Sequence, residues 1–307
     1  MDLALITFQQ VFILFILIFI GIICRKLNII KPEGKQWFSN LLLYIIVPCM
    51  VVDSYMQDLN PEILPNLLKT IILSAIVLTL SVIIAFLITF KYPSKDRRVM
   101  QFAIGFSNCA YMGFPLITAM FGAEGLLYAS VFVTMFNLYL WTVGIGIMSR
   151  EVSGKAIAMS ILKTPVLYAV IIGLFFYLTQ IKLPIVITQP LGQVGDMNTP
   201  LSMIITGMLI ADSDIIRILK NKDIYFTILF RMLIIPTICF VIVKLTGITG
   251  IVANVCIILI SCPTAAITSA FSVNYGHNEE YASGAVVMTT LISIVTLPII
   301  AYLLTIL

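Results

Sequence analysis

Long apolar runs, each ended by a short polar or Gly/Pro-rich break, recur from one end of the chain to the other. A helix needs about 20 predominantly apolar residues to cross the hydrocarbon core of a bilayer. Runs near that length predict helices at residues 3 to 24, 36 to 56, 65 to 90, 99 to 121 and 124 to 148, then 160 to 179, 190 to 211, 223 to 246, 250 to 275 and 279 to 305. The pattern is that of an all-α polytopic membrane protein with ten transmembrane helices. It divides into a first five-helix unit over 1–149, a short cytoplasmic linker over 150–164, and a second five-helix unit over 165–307. No long structureless loop intervenes, so no separate soluble domain is expected.

Composition agrees with lipid as the solvent: 61% of the 307 residues are hydrophobic and 10% charged, against roughly 25% charged in a soluble domain. The first run, Leu3 to Cys24, has no Lys or Arg before Arg25, so it reads as a retained helix rather than a secretory signal. The net charge of +4 is spread over short loops and forms no patch for nucleic acid. Six cysteines (24, 49, 109, 239, 256 and 262) fall in or beside apolar spans with no CxxC pair and no histidine at ligand spacing. They read as packing residues, and neither a metal nor a cofactor is expected.

The basic residues orient the chain, because Lys and Arg near span ends stay on the cytoplasmic side. Arg25, Lys26, Lys31 and Lys35 follow the first span; Lys91, Lys95, Arg97 and Arg98 the third; Arg150, Lys155 and Lys163 the fifth; Arg217, Lys220 and Lys222 the seventh. These are 14 of the 18 basic residues, all on one face. Lys69, Lys182 and Lys244 fall on the other, and Arg231 lies within the eighth span. A multi-pass plasma-membrane protein with both termini extracytoplasmic follows as the expectation.

Five spans per half would place the halves in opposite orientation, as in an inverted repeat. Two features echo it. Gly122, Glu124 and Tyr128-Ala129-Ser130 lead into the fifth span, as Gly276, Glu279 and Tyr281-Ala282-Ser283 lead into the tenth. Pro48 is matched by Pro200, and Pro115 by Pro263, at an offset of about half the chain.

Proline inside a span frees backbone carbonyls, which lipid cannot satisfy, so such breaks must face protein or water. The fourth span holds Ser107, Asn108, Tyr111, Gly113 and Pro115; the ninth holds Ser261-Cys262-Pro263-Thr264. Discontinuous helices at matching places in two halves are the best sequence pointer to a transporter's binding site. Each break also leaves a half-helix N-terminus with unpaired amides, and two such ends beyond Pro115 and Pro263 would favour a carboxylate. An ordinary proline kink is the alternative for either proline taken alone.

Asn137, one turn from Trp141 in the fifth span, is expected to point inward, as packing glue or substrate contact. Asp53 and Asp196 lie toward the outer ends of the second and seventh spans, where they read as interfacial carboxylates or as coupling groups. Arg231, about two turns into the eighth span, reads as snorkelling to the interface, with a counter-ion role as the alternative. His277 reads as a solvated loop residue.

The stretch NCAYMGFPLITAMFG at 108–122, LGQVGDMNTPLSMIITGMLIA at 191–211, and the run from Pro263 through Asn274-Tyr275-Gly276 to Leu297-Pro298 together resemble the auxin efflux carrier family, which includes plant PIN-type carriers and bacterial permeases for malate-like acids. The resemblance implies a five-plus-five inverted repeat in which the fourth and ninth helices cross at their prolines, and usually a homodimer. It also implies a scaffold of helices 1, 2, 6 and 7, a moving part of helices 3 to 5 and 8 to 10, and substrate contact by Asn108. The long central loop of many plant carriers is missing here, which argues for a compact permease. The expected function is secondary transport of a small organic anion, such as a mono- or dicarboxylate. A membrane receptor that binds without transport is the alternative. An intramembrane enzyme would need paired acids, a metal cluster or a nucleophile with its base, none of which the sequence offers.

Overall fold

The computed structural model describes residues 3–58, 60, 63–149 and 165–304, and among these it is helical throughout with no strand. Its helices are α1 (Leu3–Lys26), α2 (Gly34–Leu41), α3 (Val47–Ser54), α4 (Ile63–Thr89), α5 (Arg97–Gly105), α6 (Phe114–Tyr139), α7 (Ile145–Met148), α8 (Pro165–Thr179), α9 (Ile185–Asp196), α10 (Asn198–Ala211), α11 (Ile215–Leu219), α12 (Lys222–Leu229), α13 (Ile235–Thr246), α14 (Ile251–Ser261), α15 (Ile267–Asn274) and α16 (Glu279–Leu304). Among the described residues, six helical stretches are long and apolar enough to cross a membrane, and α8 and α14 are shorter apolar helices. The linker over 150–164 lies outside the described residues.

Several of these helices are apolar on all sides, as lipid immersion requires. On α1, Val11, Leu14 and Ile18 are buried while Phe8, Phe12 and Phe19 are exposed. The buried stripe meets α10 at backbone distance: a Cβ on Gly21 would lie 2.3 Å from the Ile204 carbonyl oxygen, and one on Gly207 would lie 2.0 Å from that of Ile18. Small residues permit this approach, and van der Waals contact then drives association where no hydrophobic effect operates.

Single turns of π-helix join α2 to α3 (Leu42–Ile46), precede α6 (Cys109–Gly113), join α6 to α7 (Leu140–Gly144) and join α12 to α13 (Phe230–Ile234). Three of the four are followed by a proline at the second position of the next helix: Pro48, Pro115 and Pro236. A proline ring clashes with the carbonyl four residues back, and the wider π turn gives it room. These prolines are therefore carried inside nearly continuous helices.

The 40-residue stretch Cys109–Met148 is not one rod. Gly122 has φ 61° and ψ −151°, a conformation that only glycine adopts freely. Past it the chain folds back, so that a Cβ on Gly125 would touch Phe121 at 2.4 Å and Ile117 at 3.1 Å, although residues eight apart in a straight helix stand about 12 Å apart.

Packing links the elements in two sets, which meet where α1 lies against α16 and α6. In one, α1 lies along α10, and α3 packs on α8 and α9. In the other, α4 packs on α5, α6 and α14, α13 on α14, and α15 on α16.

Candidate functional site at the crossed breaks

The break expected at Pro115 lies seven residues earlier. Chain from Phe106 to Asn108 is extended between α5 and the π turn Cys109–Gly113, while Pro115 sits inside helix beyond it. The second break, Cys262 to Ala266, does contain Pro263. The two breaks cross as a single antiparallel bridge between Ser107 and Thr264. The Asn108 amide donates to the Pro263 carbonyl at 2.7 Å, and the Ala265 amide to the Phe106 carbonyl at 3.0 Å.

Carbonyls released at the ends of α5 and α14 are taken up by side chains. Arg231 is 0% exposed. Its Nη1 donates to the Ile104 carbonyl at 2.9 Å, its Nε to Cys262 at 3.1 Å, and its Nη2 to Ile260. Thr264 Oγ1 donates to Ala103 at 2.9 Å, and Ser81 Oγ to Gly105 at 2.8 Å. The snorkelling expected of Arg231 is thus replaced by burial: its five donors in a fixed fork reach both helix ends at once, where the negative poles of two dipoles face it. No carboxylate contacts it among the described residues.

The opposite, positive ends are left open. The π turn starting at Cys109 and the helix α15 both begin against a cavity of about 520 Å³, lined there by Ser107, Asn108, Ala110, Ala266 and Ile267. The first amides of a helix have no intrahelical acceptor. Asn108 is 5% exposed, and its carboxamide has no protein partner among the described residues. Ser107 Oγ and Ser269 Oγ likewise have none.

Of the residues singled out in the sequence, Ser107, Asn108, Tyr111 and Asn137 line this cavity. Gly113 instead packs on α14, where a Cβ would lie 2.4 Å from Leu259 Cδ2. Thr264 turns away, its amide held by Thr289 Oγ1 at 3.0 Å. Pro115 and Pro263 are not among the lining residues. Asp53 and Asp196 also lie elsewhere; Asp53 faces Gly192, and a Cβ there would stand 3.5 Å from the carboxylate. Gln36, Ser39, Ser269, Asn274 and Glu279 complete the polar lining and were not among the site residues expected from sequence, although Asn274 and Glu279 stood in the motifs. Each lies near a span end or among small residues, where polarity reads as ordinary interface.

The exposed rim of the cavity, Gln36, Asn274 and Glu279, stands beside the loops that carry most of the basic residues. On that face Arg217 pairs with Glu280 at 2.8 Å and Arg25 with Asp212 at 2.6 Å. His277 is not freely solvated: its ring lies 2.8 Å from the Met148 carbonyl oxygen. Nearby, burial and the neighbouring Asp223 push the Asp96 carboxyl above its ordinary range, while a hydrogen bond from Asn278 opposes the shift. Away from the basic face the groups close on each other. Tyr55 and Ser130 hydroxyls meet at 3.2 Å, the Tyr55 and Tyr177 rings stand edge to face at 6.4 Å, and the Asn60 amide donates to the Tyr177 hydroxyl at 2.8 Å.

Crossed half-helices around a cavity occur in several transporter architectures, and similarity decides the lineage. The profile of the family described as membrane transport protein matches residues 6–161 and 150–301, nearly the whole chain. The chain belongs to this family, that of the auxin efflux carriers. It is 24% identical over 307 residues to an uncharacterized transporter of Methanocaldococcus jannaschii, covering 95% of this chain and 97% of that one. It is 23% identical over 299 residues to an uncharacterized transporter of Methanothermobacter thermautotrophicus, covering 95% and 96%. A protein of Rhizobium meliloti named "Putative malonate transporter" is 20% identical over 302 residues, covering 94% and 92%. As a member of the auxin efflux carrier family, the chain is a multi-pass membrane transporter.

Proposed function

We infer that this transporter carries a small organic anion across the plasma membrane as a secondary carrier working by alternating access. The observation that carries the reading is the pair of open half-helix N-termini beside the unpartnered Asn108 carboxamide, set in one cavity. Each end presents about half a positive charge, and the amide donates to a carboxylate or accepts from a hydroxyl. The buried Arg231 behind the crossing adds positive potential in a medium that screens it weakly. No Lys or Arg is among the described lining residues, so the anion is held by backbone and amide donors.

In this reading the fold at Gly122 and the two crossed breaks divide the chain into ten spans, arranged as two inverted five-helix units that pair into a homodimer through the scaffold. Both termini are extracytoplasmic. The cavity, open beside the basic loops and closed at Tyr55, Ser130 and Tyr177, then belongs to the cytoplasm-facing state.

Malonate is the first substrate to test, given the name of the Rhizobium relative. Counterflow of labelled malonate and other small carboxylates in proteoliposomes separates a carrier from a receptor, since a receptor binds without exchanging. Asn108→Ala is expected to raise the half-saturation concentration about tenfold or more, the loss of one hydrogen bond to a charged group being about 1.5–3 kcal/mol. Ligand-induced thermal stabilisation should shrink in parallel. A full ligand shift and unchanged affinity in Asn108→Ala would make the residue a packing group.

A further inference from the structure

Asn198 is 1% exposed, and neither the nitrogen nor the oxygen of its carboxamide has a hydrogen-bond partner among the described residues. A buried amide with both ends unpaired is unfavourable, and inside a membrane protein it usually marks a functional group. It stands at the first position of α10, just after the helix is interrupted at Met197. Ile205 and Leu209 follow it by two and three helical turns, so the three share one face. Ile205 and Leu209 line the cavity. Asn198 thus lies on the same track, about 10 Å past Ile205 and away from the basic face. The same helix packs against the π turn Cys109–Gly113, which follows Asn108 directly. Ser202, also on the buried side of α10, spends its one hydroxyl proton on the Thr199 carbonyl at 3.1 Å, so it has no donor left for a carboxylate.

We propose that Asn198 is a second substrate contact, used in the conformation opposite to this one. When the crossed half-helices advance by about two turns along α10, the Asn108 cradle comes level with Asn198. A carboxylate then lies between two carboxamides, and the Asn198 side chain meets substrate and water. This inference rests on the transport reading, and it gives that reading a polar group reserved for its outward-facing state. It accounts for an amide that is unsatisfied here yet stands in register with the cavity wall.

The consequence is a coupling between residue 198 and the conformational equilibrium that needs no substrate. Leucine of similar volume loses nothing in the state seen here, whereas it is unfavourable in a hydrated outward cavity, so it shifts the population toward the cytoplasm-facing state. The experiment uses the full chain carrying Ala270→Cys, a cavity-lining reporter, with an impermeant thiol reagent added from the cytoplasmic side of inside-out vesicles. The parent chain without the reporter corrects for native cysteines. Asn198→Leu is expected to melt at or above the temperature of the unmodified chain and to label at least twofold faster. In right-side-out vesicles the same variant should raise the half-saturation concentration for malonate, while from the cytoplasmic side that concentration stays level or falls as the competent state gains population. An unchanged labelling rate, or malonate affinities that shift equally from both sides, overturns the proposal. If Asn198→Leu does not accumulate, Asn198→Ala is read by the same labelling rate. Absence of malonate transport by the unmodified protein would count against malonate as substrate and leave the labelling result to decide on Asn198.

Discussion

Arg231 places a full positive charge inside a membrane span and gives it backbone carbonyls, not a carboxylate, as partners. Arginine suits this task because its planar fork reaches several acceptors at once, whereas lysine presents a single compact, strongly hydrated point. Three carbonyls from two different half-helices would lose their donor in Arg231→Ala, and each buried unpaired group costs about 1–3 kcal/mol. The variant is expected to lose several kcal/mol of stability, read as a lowered melting temperature in detergent and reduced accumulation in the membrane. Arg231→Lys should fall between the two, since it keeps the charge and loses part of the fork. A melting temperature for Arg231→Ala equal to that of the unmodified protein would show that the crossing stands without this residue.

The helices themselves are legible in sequence because lipid imposes a minimum apolar length, and the stretches from Ile63 to Thr89 and from Glu279 to Leu304 state it directly. The location of the first break was not legible. Proline was the visible signal, yet Pro115 rides behind a π turn, as Pro48 and Pro236 do. Phe106, Ser107 and Asn108 leave the helix because their backbone groups find partners in the other half of the chain, at Pro263 and Ala265. Such partners are more than 150 residues away and carry no local mark. The role of Arg231 was hidden for a related reason, since its acceptors are main-chain carbonyls that every residue possesses. Asn108, Ser107, Tyr111 and Asn137 were nevertheless visible in sequence, being polar or aromatic in apolar surroundings, and all four line the cavity. The two prolines should now behave differently. Pro263→Ala removes a restraint from the extended crossing itself and is expected to impair transport strongly. Pro115→Ala leaves the crossing intact and is expected to retain most of the uptake, with the π turn relaxing toward regular α-helix. Equal losses from both substitutions, measured as initial uptake rates at matched protein levels, would contradict this distinction.

At the scale of the whole molecule, the arrangement is asymmetric across the membrane. A cavity with Gln36, Asn274 and Glu279 at its rim lies on one side, and the contacts of Tyr55, Ser130, Tyr177 and Asn60 close the other. The basic loops predict which side faces the cytoplasm, because Lys and Arg resist translocation. Lys95, between α4 and α5, lies with the basic loops, whereas Asp58 and Lys182 form an exposed ion pair of 3.3 Å on the opposite face. The distribution of 14 basic residues against three therefore makes a directional prediction that does not depend on substrate. Asp58→Cys should react in intact cells with an impermeant maleimide, and Lys95→Cys should react only after the membrane is opened. The unmodified chain, whose cysteines at 109, 239, 256 and 262 are buried, provides the background. Reaction of Lys95→Cys in intact cells with protection of Asp58→Cys would invert the molecule, so that the open cavity would face outward and the closed tyrosine cluster would form the cytoplasmic gate. Reaction of both from outside would require an odd number of spans between residues 58 and 95 to be replaced by an even one, which the single helix Ile63–Thr89 cannot provide.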